Sequence, residues 1–170
     1  MLKVDLGILA RKKRLQIDES VPVDHALAAD AGFRLVEPLE LHLDVQQAGH
    51  DVIVRGSMEG EAEVNCRRCL TPVRAPIDQE VMLVFREGVS QVDAEADEIY
   101  ALPQRGYELD LSYAIREHLL LAVPEFMECQ EACKGLCPHC GVNLNETTCN
   151  CAATRTDDRW SALRQLTQKD

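Results

Sequence analysis

Between Leu35 and Phe85 the apolar residues recur at every second position, a period that a β-sheet satisfies and a helix does not. In LELHLDV, Leu39, Leu41, Leu43 and Val45 alternate with Glu40, His42 and Asp44. Successive side chains of a strand point to opposite faces, so this pattern gives one apolar and one wetted face. QQAGHD then supplies a turn in which Gly49 can take positive φ. DVIVRG reads as a second strand. MEGEAEVNC alternates again, with Met58, Ala62, Val64 and Cys66 opposite Glu59, Glu61, Glu63 and Asn65. VMLVF (81–85) is apolar on both faces and reads as a more central strand. LKVDLGIL and RLQIDESV add one or two strands at the N-terminus. Short strands joined by tight turns predict an antiparallel sheet or small barrel.

The period changes after residue 110. LDLSYAIREHLLLAVP predicts a helix, capped by Asp110 or Ser112 and ended by Pro124, with Leu111, Ile115, Leu119 and Ala122 on its buried stripe. The preceding QVDAEADE (91–98) holds four acids and no base and reads as a surface loop, and EIYAL as a short returning strand. Near the C-terminus, Asp157 or Asp158 can cap a last short helix with Trp160, Leu163 and Leu166 on one face. The expected fold is therefore α+β. A β-rich body with its closing helix spans residues 1–124, and a cysteine-rich tail spans 125–170.

Eight cysteines fall into two groups: Cys66 and Cys69 in CRRC, then Cys129, Cys133, Cys137, Cys140, Cys149 and Cys151. The N-terminal stretch lacks the apolar run of a signal peptide, and no segment is long enough to span a membrane. The cytoplasm is the expected compartment, where thiols stay reduced and serve as ligands or buried groups rather than disulfides. Cys137-Pro138-His139-Cys140-Gly141 is the sharpest local pattern. A C-x-x-C turn brings two thiolates to one ion, and the following Gly relieves the turn. A tetrahedral zinc needs a second pair, and three compete. Cys149 and Cys151 would close a C-terminal site; Cys66 and Cys69 would clip the tail to the sheet; Cys129 and Cys133 lie one helical turn apart. The single C-terminal site of Cys137, Cys140, Cys149 and Cys151, with about one equivalent of zinc, is preferred. A second set of Cys66, Cys69, Cys129 and Cys133 stays open, because Cys66 and Cys69 read equally well as buried thiols at a hairpin. His139 is expected to be exposed rather than a ligand. A redox pair would sit at a helix N-terminus, and an iron–sulfur site would have more compact spacing.

The formal net charge of −11 argues against general affinity for nucleic acid. Local basic candidates are Arg11, Lys12, Lys13, Arg14, Arg67, Arg68 and Arg74, although RKKR alone reads as a solvated loop or strand end. The chain has no phosphate loop, nucleophile elbow or H-E-x-x-H. A four-thiolate zinc is closed to substrate, so the zinc is expected to be structural and the protein not to be an enzyme.

CRRCL (66–70), the helix LDLSYAIREHLLLAVP, CQEACKGLCPHCGVNLN followed by CNC, and DDRWSALRQL come in an order that resembles the YceD-like family of bacterial and plastid proteins. The resemblance spans most of the chain and is weakest in the N-terminal third. It implies a role in accumulation or processing of the large-subunit (23S) ribosomal RNA. The implied partner is the pre-ribosomal large subunit, reached through a ribosomal protein or the RNA. Some members of the family keep the first C-x-R-C pair without the C-terminal cluster, which favours a self-contained C-terminal site. The expected function is a non-enzymatic ribosome-biogenesis factor. The alternatives are a general protein-interaction module braced by zinc, or an RNA-processing enzyme.

Overall fold

The computed structural model describes residues 2–89, 99–103 and 106–151. Its centre is a six-stranded sheet. β2 (Arg14–Val21), β4 (Leu39–Ala48), β5 (Asp51–Asn65), β6 (Pro72–Arg86) and β7 (Tyr100–Ala101) lie in that order, and β3 (Arg34–Leu35) pairs with the far half of β5. All pairings are antiparallel except β6 with β7. A second, two-stranded sheet joins β1 (Lys3–Asp5) to β8 (Glu108–Asp110). Helix α1 (Leu6–Lys12) follows β1, and helix α2 (Ser112–Ala122) follows β8. The architecture is the expected α+β.

The alternation in the sequence becomes the core. Leu39, Leu41, Leu43 and Val45 of β4, Val52, Val54, Met58, Ala62 and Val64 of β5, and Ala75, Ile77, Val81, Leu83 and Phe85 of β6 are buried on one face. Ala114, Ile115 and Leu119 of α2 belong to the same cluster, with Leu2, Val4 and Leu9. At about 25 cal/mol per Å² of apolar surface removed from water, this face is the main source of stability. The opposite face carries cross-strand ion pairs. Arg86 holds Asp51 in a two-pronged bond, Arg34 reaches Glu63, Arg74 reaches Glu61, and Arg14 reaches Asp44. Exposed pairs of this kind set register more than they add stability.

Several expectations change in detail. DVIVRG and MEGEAEVNC are one continuous strand of 15 residues. QQA extends β4, so the turn shrinks to Gly49, at φ 66°, and His50. VMLVF lies inside the sheet, in β6 between β5 and β7, but Met82 on its outer face is 58% exposed, so among the described residues only the inner face is covered. LKVDLGIL yields a strand of three residues and then α1, because Asp5 caps a helix by accepting from the Ile8 amide at 2.8 Å. RKKR is the C-terminal end of that helix. Arg11 and Lys12 face the negative end of its dipole, and Lys13 turns left-handed at φ 64° to enter β2. The α2 boundaries agree with the sequence, and Asp110 accepts from the Ser112 amide at 2.8 Å. EIYAL supplies β7. The loop expected at 91–98 and the terminal helix with Trp160 lie outside the described residues.

Arg116 of α2 fixes the long β2–β3 connection. Its guanidinium donates to the carbonyls of Ala26, Leu27 and Ala29 at 3.1, 2.5 and 2.6 Å, at the end of a short 3-10 turn (Ala26–Ala28).

Gly56 is the tightest point of the sheet. A Cβ there would lie 1.8 Å from the His42 carbonyl oxygen of β4. Gly56→Ala should therefore lower unfolding free energy by about 3 kcal/mol, because a backbone group has to move. Gly60→Ala, whose nearest neighbour is the end of the Leu39 side chain at 3.1 Å, should cost less. Urea denaturation of the two variants checks the order.

Candidate metal centres

The 15-residue pairing of β5 and β6 ends at Asn65 and Pro72, leaving Cys66–Thr71 as the hairpin tip. Within this tip the chain makes a tight knuckle. Cys66 N–H donates to the Thr71 carbonyl, Leu70 N–H donates to the Cys66 carbonyl, and Arg68 N–H points at Cys66 Sγ from 3.5 Å. The chain after α2 then returns to the tip. Arg67 N–H donates to the Met127 carbonyl, and Arg67 pairs with Glu128 while lying 5.9 Å over the Phe126 ring. Cys129 and Cys133 arrive beside Cys66 and Cys69. Cys66 Sγ is 3.8 Å from Cys133 Sγ, and Cys69 Sγ is 3.5 Å from Cys129 Sγ. All four sulfurs lie within 4.8 Å of one another, and Cys66, Cys69 and Cys133 are buried in a small core of their own with Val73 and Leu136.

The second set is built on the same plan. Cys137 N–H donates to the Val142 carbonyl, Gly141 N–H donates to the Cys137 carbonyl, and His139 N–H points at Cys137 Sγ from 3.5 Å. Cys149 and Cys151 complete it, again with all sulfurs within 4.8 Å, but only Cys137 is buried. The structure thus gathers both candidate sets: Cys137 and Cys140 with Cys149 and Cys151, and Cys66 and Cys69 with Cys129 and Cys133. His139 is exposed and belongs to neither set. Neither C-x-x-C opens a helix, so neither has the dipole that activates a redox thiol.

The sulfurs in each set do not ionise alike. Burial pushes the Cys66 thiol up, but the amides of Cys69, Arg68 and Cys129 outweigh it and bring it down to about 6. Thr71, whose hydroxyl is 3.2 Å from Cys69 Sγ, holds Cys69 below its ordinary value. Cys129, against Cys69 and partly desolvated by the other sulfurs, is pushed up to about 12. In the second set the amides of Cys140 and His139 bring Cys137 down to about 6, while Cys151, against Cys140, is pushed up to about 12. Backbone amides lower one thiol in each knuckle, while the neighbouring sulfurs push Cys129 in one set and Cys149 and Cys151 in the other up, away from like charge. A dication removes that conflict, since it replaces the protons on all four sulfurs. A tetrahedral ion with bonds of about 2.3 Å to sulfur sets sulfur pairs about 3.8 Å apart, close to the spacings at the hairpin tip. Each set can hold a metal ion.

The basic candidates form no single patch. Lys13 and Arg14 lie beside Gln47 and Asp44, at the end of the sheet where β5 begins. Arg67, Arg68 and Arg74 lie at the other end, where β5 finishes, and 15 strand residues span nearly 50 Å. Arg14, Arg67, Arg68 and Arg74 are all engaged by carboxylates.

Sequence reasoning missed Leu70, Gly135 and Asn145. Leu70 takes φ 60° at the place where the second knuckle has Gly141 at φ 72°. The aligned spacing of CRRCL and CPHCG was the signal for it. A left-handed Leu costs roughly 1–2 kcal/mol, and this side chain is 59% exposed, so it recovers little by burial. Leu70→Gly should raise stability by about 0.5–1 kcal/mol in zinc-containing buffer, and Gly141→Leu should lower it by about 1 kcal/mol, both measured by chemical denaturation.

Comparisons with known proteins agree with the order of motifs. The family model described as "Large ribosomal RNA subunit accumulation protein YceD" matches residues 54–167, two thirds of the chain. An uncharacterized protein of Mycobacterium tuberculosis is 30% identical over 75% of this chain and 61% of its own length. The chloroplastic large ribosomal RNA subunit accumulation protein YCED homolog 1 of Arabidopsis thaliana is 34% identical over 39% of this chain and 21% of its own. Its Zea mays counterpart is 27% identical over 79% and 59%. The chain therefore spans about three fifths of the mycobacterial relative's length. No solved structure matches. With the family model covering both knuckles and α2, the chain belongs to the YceD family of large ribosomal RNA subunit accumulation proteins.

Proposed function

We propose that this protein is a non-enzymatic factor in assembly of the large ribosomal subunit, supporting accumulation and processing of 23S rRNA in the cytoplasm. The observation that carries the reading is the family match over residues 54–167. In this reading both thiol sets hold structural zinc. Four soft sulfur donors select zinc over the hard cations that oxygen ligands favour, and a complete four-sulfur set leaves no position for substrate. Residues 1–124 form the body, and residues 125–170 form a tail that the ions clip to it.

The net charge of −11 favours contact through a basic ribosomal protein at least as much as through RNA. The exposed sheet face supports this. Glu40, Glu59 and Asp78 stand abreast on β4, β5 and β6, and none is in a salt bridge among the described residues. Like charges directly opposite each other oppose folding, and a cationic partner would relieve them.

The geometry raises the expected metal content from one equivalent to two. Protein purified anaerobically without chelators should contain about two zinc ions per chain by elemental analysis, because each thiol set is complete. Cys66→Ser with Cys69→Ser should remove one. Cys137→Ser with Cys140→Ser should remove the other and leave the β-sheet circular dichroism intact. A wild-type content near one refutes the two-site reading. For the function, cells lacking the gene should contain less mature large-subunit RNA, restored by the wild-type gene. Normal levels in the deletion strain would sink the proposal. Purified protein should not cleave precursor RNA in Mg²⁺.

A further inference from the structure

The two thiol sets are joined by a short stretch of chain that hydrogen-bonds to both. Cys133 closes the set at the hairpin tip, and the next residues lead directly into the second knuckle. Gly135, at φ 75°, would bring a Cβ within 3.0 Å of the Arg68 carbonyl oxygen, and Leu136 N–H donates to that same oxygen at 3.0 Å. Leu136 then bridges to Asn143, and Leu144 N–H donates to the Gly135 carbonyl at 2.9 Å. Residues 135–144 are thus a miniature hairpin whose tip is the Cys137–Gly141 knuckle. Its returning leg ends at Asn145.

Asn145 turns back to the first set. Its Nδ2 donates to Cys133 Sγ at 3.4 Å and to Asn143 Oδ1 at 2.9 Å. Its Oδ1 accepts from the Lys134 amide at 2.8 Å and from Gln130 Nε2 at 3.2 Å, and its own amide donates to Asn143 Oδ1 at 3.0 Å. The side chain is half-buried and fully used. It belongs in sequence to the loop of the second set, yet its donor is aimed at a sulfur of the first.

We propose that Asn145 is a positioning residue that couples the two metal centres. The inference rests on the reading of both thiol sets as metal-binding. Filling the Cys137, Cys140, Cys149 and Cys151 set fixes the knuckle and therefore the leg that carries Asn145. Its N–H then steadies the Cys133 thiolate and orients it toward the other three sulfurs. Outer-shell donors of this kind change metal affinity by about 10–100-fold. Coupling between two binding events is reciprocal, so filling the hairpin-tip set strengthens the C-terminal set by the same factor.

Cobalt(II) titration of the full chain against a competing chelator tests this, with thiolate-to-metal charge-transfer absorption as the readout. Wild type should take up two ions cooperatively. Cys137→Ser with Cys140→Ser should leave the hairpin-tip set binding about tenfold more weakly than in wild type. Asn145→Asp keeps the acceptor for Lys134 and Gln130 but loses the donor to Cys133 and to Asn143 Oδ1. It should weaken the hairpin-tip set by at least as much and move its charge-transfer band to longer wavelength, because the sulfur becomes more electron-rich. Asn145→Gln should not restore the donor geometry. Independent binding of the two ions in wild type, or an unchanged band and affinity in Asn145→Asp, overturns the coupling while leaving the metal centres standing. Weakening of the C-terminal set by Asn145→Asp even when the hairpin-tip set is emptied by Cys66→Ser with Cys69→Ser marks a general loosening of the segment rather than lost coupling, and also overturns it. A wild-type chain that shows no charge-transfer band refutes the metal centres themselves, and the coupling with them.

Discussion

The pairing of β5 with β6 over 15 residues is the constraint on which the rest depends. One face of this ribbon supplies Val52, Val54, Met58, Ala62, Ile77, Val81, Leu83 and Phe85 to the core. Its length carries the tip at Cys66–Thr71 well beyond β4, which pairs with β5 only from Asp51 to Glu59, and beyond β2, which pairs with β4. A projecting hairpin cannot bury its own end. Here the end is covered by the chain that follows α2, and the covering contacts are sulfur to sulfur, amide to carbonyl, and Arg67 to Glu128 and Phe126. Apolar burial holds the body. At the tip the small cluster of Cys66, Cys69 and Cys133 has only Val73 and Leu136 around it, too little surface to hold a tail alone.

This contrast explains the division of chemistry along the chain. In the body, carboxylates and arginines meet as exposed cross-strand pairs, each contributing little and together fixing register. At the tip and in the tail, backbone amides converge on Cys66 and Cys137 and lower both thiols, while Cys129 and Cys151 are held protonated by their neighbours. Neither arrangement is settled without positive charge in the middle of the four sulfurs. A protein fold can tolerate that conflict once at the end of a hairpin. Building it twice, on knuckles with matching hydrogen bonds, is consistent with sites shaped for a cation rather than with surplus thiols.

The legible parts of the sequence were those where one face is buried and the period is unambiguous. Leu39–Val45, Met58–Val64 and Leu111–Leu119 could be read because each step along the strand or helix has a fixed direction. VMLVF was legible as an inner strand but not in its exposure, because period cannot reveal whether a second layer covers an apolar outer face, and Met82 is 58% exposed among the described residues. LKVDLGIL supplied its strand, β1, but not the helix that follows, because Asp5 acts as a cap, a local hydrogen bond that competes with strand propensity. Among the cysteines, spacing identified the C-x-x-C pairs but not their partners. Cys129 joins Cys66 across 63 positions of chain, a distance set by the β5–β6 hairpin and by the turn after α2, neither of which is encoded next to a cysteine. Asn145 had no sequence signal at all, since an Asn in a turn-rich segment is explained by turn chemistry alone.

The same geometry limits what the protein can do with its surface. The residues most able to meet a phosphate backbone are split between the two ends of β5, and four of the seven already pair with carboxylates. Between them runs the row of Glu40, Glu59 and Asp78, none of them in a salt bridge among the described residues. An RNA duplex laid along the sheet would meet repulsion in the middle and occupied arginines at the ends, and counterion release would be small. A basic protein laid across the same face meets charge of the opposite sign where the sheet has no partner of its own. The tip, held closed by Cys66, Cys69, Cys129 and Cys133, then sets where the tail stands relative to that face. Under the proposed function, metal bound at the two thiol sets acts on a partner only through shape, by fixing the chain that follows α2 to the hairpin tip.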